Sequence, residues 1–297
     1  MKQLKRAIQA LKKGMLLVVL GVLTSSAFAE TVTHKIESLN LVAQAEFAKG
    51  DPSKPAILIM HGFLTTNQFH TIQSMAQGFK DEGYSVLTPT LTLGISFRKQ
   101  SVKCNSIHTH TLENDLVEIE AWIKWLESQG KHEIVVIGHS SGSQELLAML
   151  NHKPQPSVKL AVFTSLFYLN GPELGTLQKE LNFAKDMLEV NDLRPHKYSF
   201  LFCKKDYYAT PQSFLSYHRI TREYVLNELK NLSIPNYTIM GEADKRYQSV
   251  GLNWLDELEQ TGTNLVIING ANHFFSSEYE FDLQDTLIKI IHKNMSK

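Results

Sequence analysis

Gly138-His139-Ser140-Ser141-Gly142 places a serine between two glycines. An apolar run, Glu133-Ile134-Val135-Val136-Ile137, precedes it, and a helix-period stretch over 141–151 follows. A serine on a sharp strand-to-helix turn is driven into a strained backbone conformation. Its neighbours two before and two after must be small, or they collide with the strand and the helix. Ser140 then stands at a helix N-terminus, where free N–H groups and the helix dipole favour developing negative charge. A hydroxyl in that setting becomes a nucleophile once a base removes its proton.

His273, in Gly270-Ala271-Asn272-His273-Phe274-Phe275, is the expected base. It follows the apolar run 264–268, which puts it at the same sheet edge as Ser140. The base needs a carboxylate to hold its tautomer and stabilise the imidazolium. Asp244, just after the apolar segment Tyr237–Met240, is preferred. Asp206, in Phe202-Cys203-Lys204-Lys205-Asp206, is the alternative. An oxyanion intermediate also needs two backbone N–H donors. Ser141, after the nucleophile, is expected to give one. Phe63, in the turn His61-Gly62-Phe63 after the run 56–60, is expected to give the other. His61 reads as a brace for that turn, and His139 as a residue packed beside its strand. His108 and His110 share a loop but have no convincing third ligand, so neither a metal nor another cofactor is expected.

The elements that must position these residues alternate. Strand character appears over 32–47, at 56–60, at 84–88 ended by Pro89, at 133–137, 158–164, 237–240 and 265–268. Helices are expected near 70–82, over 112–127 with Thr111 as cap, over 141–151, and near 248–260 and 279–293. Continuous apolar strands separated by helices imply an α/β fold with a mostly parallel central sheet flanked by helices. About seventy residues between the strands at 158–164 and 237–240 exceed a single crossover and read as an inserted helical cap, about 166–232. The stretch 163–224 holds 12 of the 25 Phe and Tyr residues. Phe167, Tyr168, Phe183, Tyr207, Tyr208, Phe214 and Tyr217 among them suggest an apolar wall above Ser140; the alternative is that they only pack the cap onto the sheet.

Composition limits the class. Of 297 residues 43% are apolar, and Lys+Arg 30 balances Asp+Glu 30, with no basic excess to suit nucleic acid. Lys2, Lys5, Arg6, Lys12 and Lys13, the apolar run Met15–Leu23 and Ala27-Phe28-Ala29 form an export signal over 1–29. Its apolar core is too short to span a bilayer. Residues 30–297 are therefore expected as a single domain outside the cytoplasm, periplasmic or extracellular, without a stable membrane anchor. Cys104 and Cys203 are the only cysteines, and the sequence leaves open one bridge or two free thiols.

The order His61-Gly62, Gly138-x-Ser140-x-Gly142, Asp244, His273 resembles the α/β-hydrolase family over about residues 55–295. The resemblance implies Ser140 as nucleophile, His273 as base, Asp244 as acid, and Phe63 and Ser141 as oxyanion donors. It also implies a cap after the strand that follows the nucleophile helix, as at 166–232. Serine at the turn separates this chain from the dehalogenases and epoxide hydrolases, which need an aspartate there. His61-Gly62-Phe63 lacks the HGGG run of one lipase and esterase branch. The implied activity is a carboxylesterase acting on short or medium acyl esters, with a small-molecule acyl substrate as partner. The alternatives are a peptidase, amidase or thioesterase of the same fold, or a hydrolase-like binding protein without catalysis.

Overall fold

The computed structural model describes residues 29–251 and 253–295; the export signal expected over 1–29 lies, but for Ala29, outside the described residues. Strands β1 (Glu30–Ile36), β2 (Leu41–Ala48), β3 (Ala56–Met60), β4 (Ser85–Thr90), β5 (Ile134–His139), β6 (Val158–Thr164), β9 (Asn236–Gly241) and β10 (Asn264–Ile268) form one sheet in the order β1-β2-β4-β3-β5-β6-β9-β10. β1 and β2 pair antiparallel, as do β2 and β4, and every other neighbouring pair is parallel.

Burial on both faces explains the continuous apolar strands. Along β3, Leu58 and Met60 face one core and Ile57 and Ile59 the other. The first core is closed by α2 (Leu112–Ser128) and α3 (Ser141–His152), through residues such as Ile119, Trp122, Leu146 and Met149. The second is closed by α1 (His70–Asp81) and α9 (Tyr279–Met295), through Ile72, Phe79, Leu283 and Leu287. Thr111 caps α2 as its sequence position predicts, in a reciprocal box with Asn114.

Three expectations change. The stretch 32–47 is two strands, because Asn40 takes the left-handed conformation (φ 51°) and turns the chain back. β4 runs through Pro89 rather than stopping before it. Pairing with β3 ends at Leu87, so no ladder on that side needs the missing N–H. The helix expected near 248–260 is two pieces, α7 (Lys245–Ser249) and α8 (Asn253–Glu259), interrupted by Gly251 at φ 99°.

Between β6 and β9 the chain leaves the sheet. It forms a 3₁₀ turn (Pro172–Leu174), α4 (Gln178–Glu189), the antiparallel pair β7 (His196–Tyr198) and β8 (Tyr207–Ala209), α5 (Pro211–Tyr217) and α6 (Arg222–Asn231). Cys104 and Cys203 are bonded, which ties this insertion to the loop before α2. Several of its aromatics are buried, some against one another and some against His108, Asp115 and Trp254 outside it. Tyr198 and Phe214 stack at 4.0 Å, and Tyr168, Tyr207 and Tyr217 are buried. Among the described residues no helix is long and apolar enough to cross a membrane.

Candidate active site

Register places the chemistry. β3, β5, β6, β9 and β10 run parallel, with Met60 beside Gly138, His139 beside Thr164, and Ile268 beside Gly241. The turns after their C-terminal ends therefore share one edge of the sheet, where open α/β sheets bind ligands.

Ser140 sits between β5 and α3 with φ 55° and ψ −124°. Such a conformation costs a non-glycine residue about 1–3 kcal/mol. The surroundings hold it there: the Ser140 N–H donates to the Thr164 carbonyl at 3.0 Å, and the two flanking glycines admit backbone at close range. A Cβ on Gly138 would lie 2.5 Å from Ser143 Cα, and one on Gly142 would lie 2.5 Å from the His61 carbonyl oxygen.

His273 Nε2 stands 3.0 Å from Ser140 Oγ, and His273 Nδ1 stands 2.7 Å from Asp244 Oδ2. All three side chains are buried. An ionised Asp244 only accepts, which puts the ring proton on Nδ1 and leaves the Nε2 lone pair facing the serine hydroxyl. Asp244 Oδ1 accepts the Arg246 backbone N–H at 2.8 Å, which fixes the carboxylate plane. Ser165 Oγ donates to the His273 carbonyl at 2.7 Å, and the Ala243 N–H donates to the Ala271 carbonyl at 2.9 Å, so the acid and base loops are joined by their backbones. Burial lowers the His273 pKa below its usual value. The Asp244 hydrogen bond opposes this and the Arg246 charge adds to it.

His61-Gly62-Phe63 closes the other side. A Cβ on Gly62 would lie 3.2 Å from Ser140 Cβ, so this turn rests against the serine. His61 Nε2 accepts the Leu91 N–H at 3.1 Å, which leaves Nδ1–H to donate to the Gly62 carbonyl at 2.9 Å. Burial, together with the Arg98 charge, pushes the His61 pKa down to about 3, so the ring is neutral. The N–H groups of Phe63 and Ser141 have no hydrogen-bond partner among the described residues.

Beneath this turn lies a cluster that sequence reasoning missed. Asp115 and Glu118 from α2 and Glu145 from α3 are buried around a single guanidinium, Arg98. Glu118 accepts from the Thr92 N–H at 2.9 Å and from the Thr92 hydroxyl, and Asp115 accepts from the Tyr217 hydroxyl. Burial raises the pKa of all three carboxyl groups, Glu118 to about 7. The available signal was positional: Asp115 and Glu118 flank Leu112, Leu116 and Ile119 on the stripe that faces the core.

The remaining expected residues make no hydrogen bond to Ser140 or His273, although the His139 ring lies 5.5 Å from that of His273. Asp206 is exposed between β7 and β8, 3.6 Å from Lys197, and does not meet His273. His139 is buried, with Nδ1 3.0 Å from Thr164 Oγ1. His108 stacks on Tyr207 at 4.3 Å with Nε2 against the Lys103 and Cys104 carbonyls, and His110 is buried beside it. Among the described residues no group of three or more His, Cys, Asp or Glu is placed to hold a metal ion. The expected aromatic wall is smaller than predicted: of its members Phe167 lies with its ring 5.9 Å from that of His273, and Tyr207 with its ring 5.9 Å from that of Phe63. Phe167 lines a cavity of about 190 Å³ together with Glu173, Leu174, Leu201, Phe202, Arg246 and Ser249.

Residues 24–165 match a family described as a protein of unknown function (DUF1749). No curated protein matches the chain. Solved structures do resemble it. The α/β hydrolase GrgF from Penicillium sp. sh18 is 14% identical with a TM-score of 0.69, covering 91% of this chain and 100% of its own. An esterase domain from a Rhodothermus marinus protein is 16% identical with a TM-score of 0.59, covering 90% and 98%. The epoxide hydrolase VrEH1 from Vigna radiata is 17% identical with a TM-score of 0.57, covering 89% and 98%. Identities this low speak for architecture alone, and fold does not fix chemistry. With its mostly parallel eight-stranded sheet and flanking helices, the chain has the α/β-hydrolase fold.

Proposed function

We propose that this protein is a serine hydrolase that cleaves carboxylic esters through an acyl-enzyme at Ser140. One observation carries the reading: the buried relay from Ser140 Oγ through His273 to Asp244, closed at 3.0 and 2.7 Å. Ser140 Oγ attacks the acyl carbonyl while His273 Nε2 takes its proton, and Asp244 stabilises the imidazolium. The carbonyl oxygen, now negative, accepts from the Phe63 and Ser141 N–H groups. His273 returns the proton to the departing alkoxide, and water repeats the cycle on the acyl-enzyme. A serine at the turn also favours this chemistry over that of the epoxide hydrolases.

The cavity beside Phe167 favours short or medium acyl groups. Each buried methylene adds about 0.8 kcal/mol, or up to about fourfold in kcat/KM, until the cavity is full. The export signal read at 1–29 and the Cys104–Cys203 bond both suit a protein that works outside the cytoplasm.

The test is labelling by a fluorophosphonate probe with a p-nitrophenyl ester series from acetate to decanoate. Rapid labelling that Ser140→Ala abolishes, with rates that climb and then fall along the series, is the expected result. Labelling that persists in Ser140→Ala would overturn the assignment.

A further inference from the structure

Two arginines flank the aromatic side of the site, and they are treated differently. Arg222 is fully engaged: Nε pairs with Glu257 at 2.8 Å, and Nη1 reaches the Tyr168 hydroxyl at 3.1 Å and the Val250 carbonyl at 3.0 Å. The Arg246 guanidinium has no hydrogen bond or ion pair among the described residues. It lies over the Phe167 ring at 5.7 Å and, with that ring, lines the cavity of about 190 Å³. The nearby Asp244 carboxylate is committed elsewhere, with one oxygen on the Arg246 backbone N–H and the other on His273. Glu173, the other charged group on the cavity, is exposed and accepts from the Tyr168 hydroxyl.

A half-buried guanidinium loses hydration and ordinarily regains it from a carboxylate or carbonyl partner. Here the ring of Phe167 supports one face, and the five N–H donors are left for whatever enters the cavity. Guanidinium is planar and forked, and matches a carboxylate with two parallel hydrogen bonds. We infer that Arg246 anchors a carboxylate of the substrate, so that the preferred ester carries a negative charge away from the bond being cleaved. This rests on the serine-hydrolase reading of the same site and makes Arg246 a specificity-determining residue. The carboxylate can belong to either end of the ester, the acyl chain or the leaving group.

The experiment compares two pairs of esters. p-Nitrophenyl hydrogen adipate is set against its carboxamide, and p-carboxyphenyl hexanoate against its carboxamide. In the first pair the reacting bond is alike and only the remote charge differs; in the second the carboxamide also makes the phenol a better leaving group, so each rate is divided by that of the same ester's alkaline hydrolysis. The expected result is that one carboxylate ester exceeds its amide by about tenfold or more in kcat/KM, the scale of a charged hydrogen bond. The favoured pair then says which end of the ester Arg246 holds. Arg246→Met should bring that ratio close to one, and Arg246→Lys should restore part of it. No preference in the wild type, or a preference that survives Arg246→Met, overturns the anchor.

Binding separates this failure from failure of the hydrolase reading. Adipic acid monoamide and 4-hexanamidobenzoate, in which a stable amide stands for the ester and the carboxylate is remote, are titrated calorimetrically into Ser140→Ala and into Ser140→Ala with Arg246→Met, with no turnover required. A dissociation constant raised about tenfold by the second substitution for either probe supports the anchor even if no ester is cleaved; unchanged constants for both overturn it.

Discussion

The carbonyl oxygen of His61 lies where a side chain on Gly142 would have to go, with the Cβ only 2.5 Å away. The first turn of α3 and the turn after β3 thus meet through bare backbone, and this contact sets the gap between the Ser141 and Phe63 N–H groups. Overpacking at such a point costs about 1–3 kcal/mol. Gly142→Ala should lower kcat/KM for p-nitrophenyl butyrate by about tenfold or more, because one donor must withdraw. A folded variant with wild-type turnover would show that the two turns do not jointly hold the oxyanion.

Asp244 fixes the His273 tautomer through a 2.7 Å contact to Nδ1. An asparagine there can present its amide N–H₂ to the ring and favour the wrong tautomer. Asp244→Asn should cost about 10⁴ in kcat. Asp206→Asn, on the exposed hairpin beside Lys197, should leave kcat near wild type. The reverse pattern in steady-state kinetics would reassign the acid.

Only neutral His273 can accept the serine proton. Burial lowers its pKa beneath the ordinary value of 6.5, and the Arg246 charge lowers it further against the opposing Asp244 hydrogen bond. A log plot of kcat/KM should therefore rise with pH through one ionisation below 6.5 and then level off. Arg246→Met should move that ionisation upward. Activity that falls across this range would exclude His273 as the base.

Burial keeps Glu118 protonated below about pH 7, its pKa raised from 4.5 to about 7 against the opposing Thr92 hydrogen bonds and Arg98 charge. A carboxyl group raised on folding contributes its stability at low pH and loses it as pH climbs through that interval. Glu118→Gln keeps an oxygen for the Thr92 N–H and cannot ionise. Its melting temperature, measured against the wild type, should gain steadily between about pH 4.5 and 7 and then hold. A difference that is flat with pH would mean that Glu118 ionises freely in the fold.

The central strands and the turn around Ser140 were legible because each signal is local. Continuous apolar runs mark strands buried on both faces, and small residues on either side of the serine mark a crowded turn. Asp244 and Asp206 could not be separated in the same way, because each follows an apolar run. The choice between them is made by tertiary distance. The aromatic density of the insertion suggests an apolar wall above Ser140, yet composition does not say which rings meet which: Tyr198 and Phe214 face each other instead. Asp115, Glu118 and Glu145 escaped notice because a carboxylate at helical spacing normally faces water. Asn40 and Gly251 broke two expected elements through positive φ, which single residues rarely announce.

The bond between Cys104 and Cys203 closes a covalent ring, and its circumference matters more than its location. Ser140 lies inside the ring; Asp244 and His273 lie on the tail that leaves it. Any unravelling that begins from the C-terminus strips the acid and base away while the nucleophile stays within the closed loop, on β5 and under the insertion. Such an opened molecule is silent but not scattered. The docking of a single strap, β9 to α9, is what completes the reactive set of side chains.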